Sequence, residues 1–443
     1  QEGIIFYMKN IAIVGGGITG MAAADALSRA GHSVTIFERD ATMGGLAGSF
    51  EVNGVYLEKF YHHLFTSDTA MEGLIHELGL GEDFAWKPTV TSYYANRIYR
   101  LTTPMDVLCF TPLPLFDRLR LGMLAIIPRF ISNWKPLEEI TAREWLIRLA
   151  GKRVYHQVWE PLLRQKFGHY ADQVAAVWFW NKLKLRGSSR GKGLTEHLGY
   201  LRGGFGRMLD AWEQRLRAQG VTIHTASPIE EVRIVNGVAS GVVVGGAYKP
   251  FDAVLVTVAP ALFARIAPGL PADYRARLER IIYLANVCLV LKLKRSLSST
   301  YWLNINDPEI PFVALVEHTN MQRPEEYGGA HLAYLSRYMD PADPYYQMPA
   351  EELFQAYLPG LKKLFPGFSV EWVEQVWAWR ERYTQPVIGL HYSELKPPFK
   401  TPVENLWLSC MAQVYPEDRG MNYALVYGRK VAEEMMVAWG KCV

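Results

Sequence analysis

The segment Lys9–Arg39 (KNIAIVGGGITGMAAADALSRAGHSVTIFER) constrains the fold more than any other part of the chain. Ile11–Val14 is a short apolar run suited to a strand buried on both faces. Gly15, Gly17 and Gly20 follow with G-x-G-x-x-G spacing, and Ile18–Ala30, rich in Ala, Leu and Met, has the composition of a helix stopped by Gly31. Ser33–Phe37 is a second buried strand with Glu38 at its end, an acid about 20 residues beyond the glycines. Strand, helix, strand and acid together form a dinucleotide-binding βαβ unit. Gly15 permits the tight turn, Gly17 lets a pyrophosphate approach the backbone, and Gly20 lets helix and strand pack closely. The helix N-terminus offers free N–H groups and a partial positive charge to phosphates. Glu38 can accept hydrogen bonds from an adenosine ribose.

Such a unit occupies a small part of 443 residues, leaving room for two or three domains. Apolar residues make up 49% of the chain, a globular composition rather than a disordered one. The net charge of +3 implies no strong affinity for polyanions, so no nucleic-acid partner is expected. Cys109, Cys288, Cys410 and Cys442 are scattered without a C-x-x-C pair, which argues against a disulfide framework or zinc site and fits a reducing cytosol. No metal-ligand spacing stands out. Residues 1–7 precede Met8, which is taken as the natural start, and no signal peptide is evident. The longest charge-free apolar run, Ile281–Leu291, is too short to span a bilayer and reads as a buried strand.

A second glycine-rich loop, Gly44, Gly45 and Gly48, follows Glu38 closely. A cofactor running on past the pyrophosphate explains it better than a simple nicotinamide does. Glu51–Phe65 reads as a hairpin leading into a loop with His62 and His63, and Thr69–Leu80 as a helix capped by Ser67 or Asp68. Ser92–Leu101 suits a hairpin turning at Ala95-Asn96. Pro104–Trp134 is strongly apolar and aromatic, with Asp117, Arg118, Arg120 and Arg129 interspersed. Helical spacing gives it one broad apolar face edged by arginine, suited either to a membrane interface or to a buried helix pair. Leu137–Ala176 reads as helical throughout, with Thr141 as N-cap. Strands then recur at Val221–His224, Ile229–Val235, Val238–Val244 and Phe251–Val258, so the nucleotide-binding sheet resumes after about 100 residues of insertion. Ala285–Leu293, Phe312–His318, His331–Arg337 and Glu371–Arg382 read as strands of an antiparallel sheet. Asn405–Met411 is a last buried strand before a closing helix at Met421–Ala438.

Four of these segments, in order, resemble the FAD-dependent amine oxidase superfamily, which includes protoporphyrinogen oxidases, phytoene-type desaturases and, more distantly, UDP-galactopyranose mutases. They are IAIVGGGITGMAAADAL with Glu38, ERDATMGGLAGSF, GYLRGGFGRMLDAWEQRLRAQGVTIHTASPIEEV, and NLWLSCMAQVYPEDRGMNYALVYGRKVAEEM. The resemblance implies non-covalent FAD. Its expected contacts are Gly15, Gly17, Ile18, Thr19, Gly20, Glu38 and Arg39 in the first element and Gly44, Gly45 and Leu46 in the second. Pro228 and Ile229 would contact adenine, and Cys410, Gly420, Met421 and Asn422 would approach the flavin ring from the C-terminal strand and helix. His62 and His63 occupy the place that commonly faces the ring in the family. The chain departs from the pattern at Leu46, where relatives often carry Arg, and at Ser409-Cys410-Met411, where they carry a small-Gly-Asp triplet; Asp418 is a candidate replacement acid.

The fold implied is α/β: a Rossmann-like, p-hydroxybenzoate-hydroxylase-like FAD-binding domain (residues 8–90, 193–268 and 401–443). An antiparallel-sheet substrate domain (91–103 and 269–400) and a helical insertion (104–192) complete it. The expected function is FAD-dependent oxidation or desaturation of a small hydrophobic substrate, isoprenoid- or porphyrin-like. Catalytic candidates are His62, His63 and Glu317, the last because polar residues end the strand FVALV. Arg186 and Arg190 are candidates for binding a phosphate or carboxylate, Tyr415 for packing near the ring, and Gly428 for close packing beneath it. A mutase-like flavoenzyme acting on a nucleotide sugar, and a non-enzymatic FAD-bound scaffold, are the alternatives. The expected location is cytoplasmic, peripheral on the inner membrane face if residues 104–134 touch lipid.

Overall fold

The computed structural model describes residues 8–188 and 196–440. Its first sheet has five parallel strands in the order Leu406–Leu408, Ala253–Val256, Asn10–Val14 (β1), Ser33–Phe37 (β2) and Thr222–His224. These strands are near-continuous apolar runs because both faces are covered, one by helices and the other by the three-stranded antiparallel sheet Ile229–Val235, Val238–Val244 and Ala247–Pro250 with the helix Pro260–Ile266. Ile18–Arg29 (α1) packs against the closing helix Met421–Ala438, and the contact is tight enough that a Cβ on Gly428 would lie 2.4 Å from the Thr19 carbonyl oxygen. Gly428 therefore admits α1 rather than underlying a cofactor. The helix Gly206–Ala218 buries Met208, Leu209, Trp212 and Leu216 in the same core, each worth about 1.5–3 kcal/mol of burial.

The second sheet has seven strands in the order Val373–Pro386, Tyr283–Leu293, His331–Met339, Ala314–Glu317, Trp302–Ile305, Thr91–Ala95 and Arg97–Arg100. All neighbours are antiparallel except Trp302–Ile305 beside Thr91–Ala95. The helix Ala350–Leu364 covers one face, and a helical cluster from residues 104–188 lies beside the sheet on a core of its own. The molecule is thus a mixed α/β fold with a five-stranded parallel sheet and a separate, seven-stranded, largely antiparallel sheet.

Three local expectations are corrected. Leu137–Ala176 is not one helical stretch: Ala142–Ala150 ends at Gly151 (φ 87°) and Glu160–Phe167 ends at Gly168 (φ 57°), left-handed positions that stop helix propagation. The N-cap at Thr141 holds, with Glu144 N–H donating to its hydroxyl at 3.1 Å and Thr141 N–H donating to Glu144 Oε2 at 2.9 Å. Asp68 stands at the N-cap of Thr69–Glu77, but its carboxylate accepts from Phe65 N–H, in the preceding turn. Pro104–Trp134 forms only short pieces, Pro104–Leu108, Leu115–Met123 and Ile127–Phe130, because Pro112 and Pro114 interrupt it. No described helix is long and apolar enough to cross a membrane.

Candidate active site

Two cavities meet beneath the N-terminus of the closing helix. The first, about 330 Å³, runs along the carboxyl ends of β1 and β2. Gly15, Gly17, Ile18, Thr19, Glu38, Arg39, Gly44, Gly45, Leu46, Pro228 and Ile229 line it. The glycines divide by role. A Cβ on Gly20 would lie 2.0 Å from the Gly15 carbonyl oxygen, so this position serves helix–strand packing and does not reach the cavity. A Cβ on Gly17 would meet nothing closer than 3.9 Å; the space it would enter is the cavity itself. The Glu38 carboxylate accepts from Gly16 N–H at 2.6 Å and Asp40 N–H at 2.9 Å, and burial pushes its pKa up against those two donors. Ser227 N–H donates to the Glu38 carbonyl at 2.8 Å, which brings Pro228 and Ile229 beside the acid. Arg39 donates to Glu381 of the long strand Val373–Pro386 at 2.5 Å, tying the rim to the second sheet. This cradle of open glycine backbone, acid and helix N-terminus fits a dinucleotide cofactor.

The far end of that cavity is lined by His62, Cys410, Arg419, Gly420 and Met421. His62, Arg419, Gly420 and Met421 also line the second cavity, about 410 Å³, between the large sheet and the helical cluster. His62 Nδ1 lies 2.6 Å from the Phe60 carbonyl oxygen. A carbonyl only accepts, so Nδ1 carries the proton and Nε2 is the unprotonated nitrogen. Burial holds the ring neutral, with its pKa lowered to about 4. His63 lines the second cavity only; its Nδ1 is 3.0 Å from the Tyr301 hydroxyl, and burial lowers its pKa to about 3. Burial pushes the Cys410 thiol up to about 12, so it is protonated and unreactive. Arg419 is held by neutral partners, donating to Gln385 Oε1 at 3.0 Å and to the Tyr338 hydroxyl at 2.8 Å.

Two expected site residues lie elsewhere. Glu317 is fully buried, but its carboxylate accepts from the Ser296 and Ser298 hydroxyls and from the Leu297 and Ser298 N–H groups, fastening a loop. Four donors consume it, and it lines neither cavity. Asn422 turns away from both cavities and accepts from Met71 N–H at 3.0 Å, pinning the helix Thr69–Glu77 to the closing helix. Asp418 lines the second cavity, not the first, where it pairs with Lys182 and accepts from Trp178 Nε1. The Tyr415 hydroxyl donates to Glu138, and Tyr415 lines neither cavity. Arg186 lines the second cavity, while Arg190 falls outside the described residues. Sequence reading missed Arg419, Tyr61, Tyr338, Lys166 and Lys182, all of which line the second cavity. Arg419 had a visible signal, since it immediately precedes the GMNY turn.

Comparison with known proteins places this geometry. The sequence model described as flavin containing amine oxidoreductase matches residues 18–436. Among characterised relatives, carotenoid phi-ring synthase of Streptomyces griseus is 22% identical over 315 residues, covering 61% of this chain and 57% of that protein. Coproporphyrinogen III oxidase of Staphylococcus aureus is 24% identical over 262 residues, covering 51% of this chain and 55% of that protein. The chain thus spans a little over half the length of these two relatives. The crystal structure of a candidate protoporphyrinogen oxidase from Exiguobacterium sp. 255-15 superposes with a TM-score of 0.77 at 18% identity. That likeness in fold covers 98% of this chain and 100% of that one.

Proposed function

The chain belongs to the flavin-containing amine oxidoreductase family, and on that premise we propose that it is an FAD-dependent oxidoreductase of a hydrophobic, isoprenoid- or porphyrin-like substrate. The observation that carries this reading is the shared wall of the two cavities. His62, Arg419, Gly420 and Met421 line both, so a ring at the end of the dinucleotide cavity faces the second one. We read the fold as p-hydroxybenzoate-hydroxylase-like, with the FAD domain built from residues 8–90, 193–268 and 401–443. The substrate domain is 91–103 and 269–400, and the helical insertion is 104–192.

Bound FAD supplies a hydride acceptor, so the protein need not provide a strong acid or base. The chain's own part is binding, orientation and electrostatics. Gly17 and the α1 N-terminus receive phosphates, and Glu38 receives a ribose. Arg419 and the N-terminus of Met421–Ala438 concentrate positive potential at the junction, favouring negative charge there. His62 offers a neutral acceptor nitrogen. We read the FAD as non-covalently held, with Cys410 a protonated, inert thiol beside it. Tyr61, Trp178, Phe179 and Leu162 give the second cavity largely apolar walls suited to a hydrophobic body. The relatives named for carotenoid and coproporphyrinogen chemistry support the same substrate classes.

Delivery of such a substrate gives the apolar insertion a role: it docks on an anionic lipid surface. Eight of the fourteen exposed large apolar side chains among the described residues fall between Met105 and Phe130, Phe130 being 82% exposed and Phe116 64%, a concentration in one short segment rather than a scatter along the chain. The carboxylates within this stretch are turned inward, Asp106 into the cap at Thr103 and Asp117 into ion pairs with Arg120 and Arg153. Lys135, just beyond this stretch, is exposed, which suits acidic head groups. Val107 and Leu121 from the same short helices, with Leu124 and Ala125 just past the second, line the second cavity from within.

Anaerobic titration tests the reading. An isoprenoid or porphyrinogen should bleach the oxidised flavin absorbance, whereas UDP-sugar binding to reduced protein without net oxidation would replace it with a mutase-like reaction. Co-sedimentation with phosphatidylglycerol vesicles, lost on Phe116→Ser with Phe130→Ser, tests the docking; unchanged sedimentation would remove it.

A further inference from the structure

The second cavity is apolar over most of its wall but carries positive charge at one end. Lys166, Lys182, Arg186 and Arg419 all line it, against Asp418 and Asp68. Asp418 is paired with Lys182, and Asp68 accepts from Phe65 N–H while burial raises its pKa to about 6. Lys166 and Arg186 make no ion pair within 4 Å among the described residues, and the one carboxylate that acts on Lys166 from further off, Asp418, is already paired with Lys182. They lie against aromatic faces instead, Lys166 Nζ 4.9 Å from the Trp178 ring centre and 5.0 Å from Tyr338, and the Arg186 guanidinium 5.2 Å from Trp302. Aromatic faces orient a cation without neutralising it. Desolvated cations that share a cavity wall without counter-charge are costly, and a bound anion removes that cost. The same crowding is visible in Lys166: burial, Lys182, Arg419 and Arg186 push its ammonium well below its ordinary range against the opposing pull of Asp418, and a bound anion favours the charged form again.

We propose that this cavity binds an amphiphilic acid, with a phosphate or carboxylate head group between Lys166 and Arg186 and an apolar body along Val107, Leu121, Leu124 and Leu162. The assignment rests on reading this cavity as the substrate site, and it narrows the substrate from hydrophobic to hydrophobic and anionic. A neutral hydrocarbon gains nothing from Lys166 and Arg186, and an amine is repelled by them. Arg186 suits a planar or tetrahedral oxyanion, which its guanidinium fork can hold with two hydrogen bonds. Lys182 remains committed to Asp418, and Arg419 to Tyr338 and Gln385, so the first two cations are those available to a ligand.

The test is equilibrium binding to the FAD-loaded protein by titration calorimetry, with decyl phosphate, decanoate, decanol and decylamine. Both anions should bind at least about tenfold more tightly than decanol, the scale of one hydrogen bond to a charged group, and decylamine more weakly than decanol. Whichever anion binds more tightly names the head group. Lys166→Met and Arg186→Met should each lose about tenfold in anion affinity and leave decanol binding unchanged. Equal affinity for decanol and the anions, or anion binding unaffected by both substitutions, would overturn the proposal. The wild-type series stands without the variants, so a variant that fails to fold does not shield the idea. Because binding is the readout, failure of flavin reduction with every substrate would count against the redox reading and leave this result intact.

Discussion

Gly17 and Gly20 stand three residues apart in one motif, and the structure gives them opposite sensitivities. At Gly17 the backbone is extended with φ −75°, which alanine adopts freely, and its Cβ would have no protein atom nearer than 3.9 Å. Gly17→Ala should therefore cost the protein itself at most about 1 kcal/mol, the scale of a changed helix N-cap. The methyl group would stand where the pyrophosphate approaches the backbone. Losing one or two hydrogen bonds to a charged group costs about 1.5–3 kcal/mol each, so the FAD dissociation constant should rise by at least about tenfold. At Gly20 the new Cβ would lie 2.0 Å from the Gly15 carbonyl oxygen and 3.2 Å from its carbon, both rigid backbone atoms. Gly20→Ala must push α1 off β1, at about 1–3 kcal/mol or more of overpacking. FAD affinity by flavin fluorescence and thermal unfolding of the cofactor-free protein separate the two. Alanine at 17 should lose cofactor while keeping stability, and alanine at 20 should lose stability first. If Gly17→Ala bound FAD like the wild type, or both variants lost cofactor-free stability equally, this division of roles would be wrong.

Glu58 is fully buried between the Tyr200 hydroxyl and Phe205 N–H, each at 2.7 Å, and burial raises its pKa to about 7 from an ordinary 4.5. A carboxyl that keeps its proton longer when folded contributes stability that is fully present below pH 4.5 and lost as pH rises through about 7. The stability of Glu58→Gln relative to wild type should thus climb by about 3 kcal/mol across that window; a pH-independent difference in denaturant unfolding would refute it. Cys109 is exposed whereas Cys288 and Cys410 are buried, with both thiols pushed up by burial. Iodoacetamide at pH 8 should label Cys109 in the native protein and reach Cys288 and Cys410 only after unfolding, as peptide mass mapping would report. Asn422→Ala should cost about 1–2 kcal/mol in thermal stability through the Met71 N–H it leaves unpaired. FAD content should stay unchanged, and a loss of cofactor without destabilisation would return Asn422 to the flavin site.

The sequence by itself determined the parts whose chemistry is local. G-x-G-x-x-G between two buried strands encodes a nucleotide cradle because each glycine answers to a backbone geometry a few residues wide. The N-cap at Thr141 and the helix starting at Met421 are legible for the same reason. What polar side chains do was decided by tertiary structure. Glu317 and Asn422 look in sequence like His62, polar residues at the ends of elements. Folding spends Glu317 on four loop donors and Asn422 on Met71, and leaves His62 between two cavities. Of the cationic end of the second cavity, only Arg186 was legible, as a candidate for binding a phosphate or carboxylate; its companions were not. Lys166, Lys182 and Arg186 come from two helices of the insertion and Arg419 from a loop more than 200 residues later. Hydrophobic periodicity reports which face of an element is buried, but not which distant charges share a cavity wall. That depends on how the helices of residues 104–188 pack against the large sheet, and it is there that a dinucleotide fingerprint becomes a site for a particular kind of substrate.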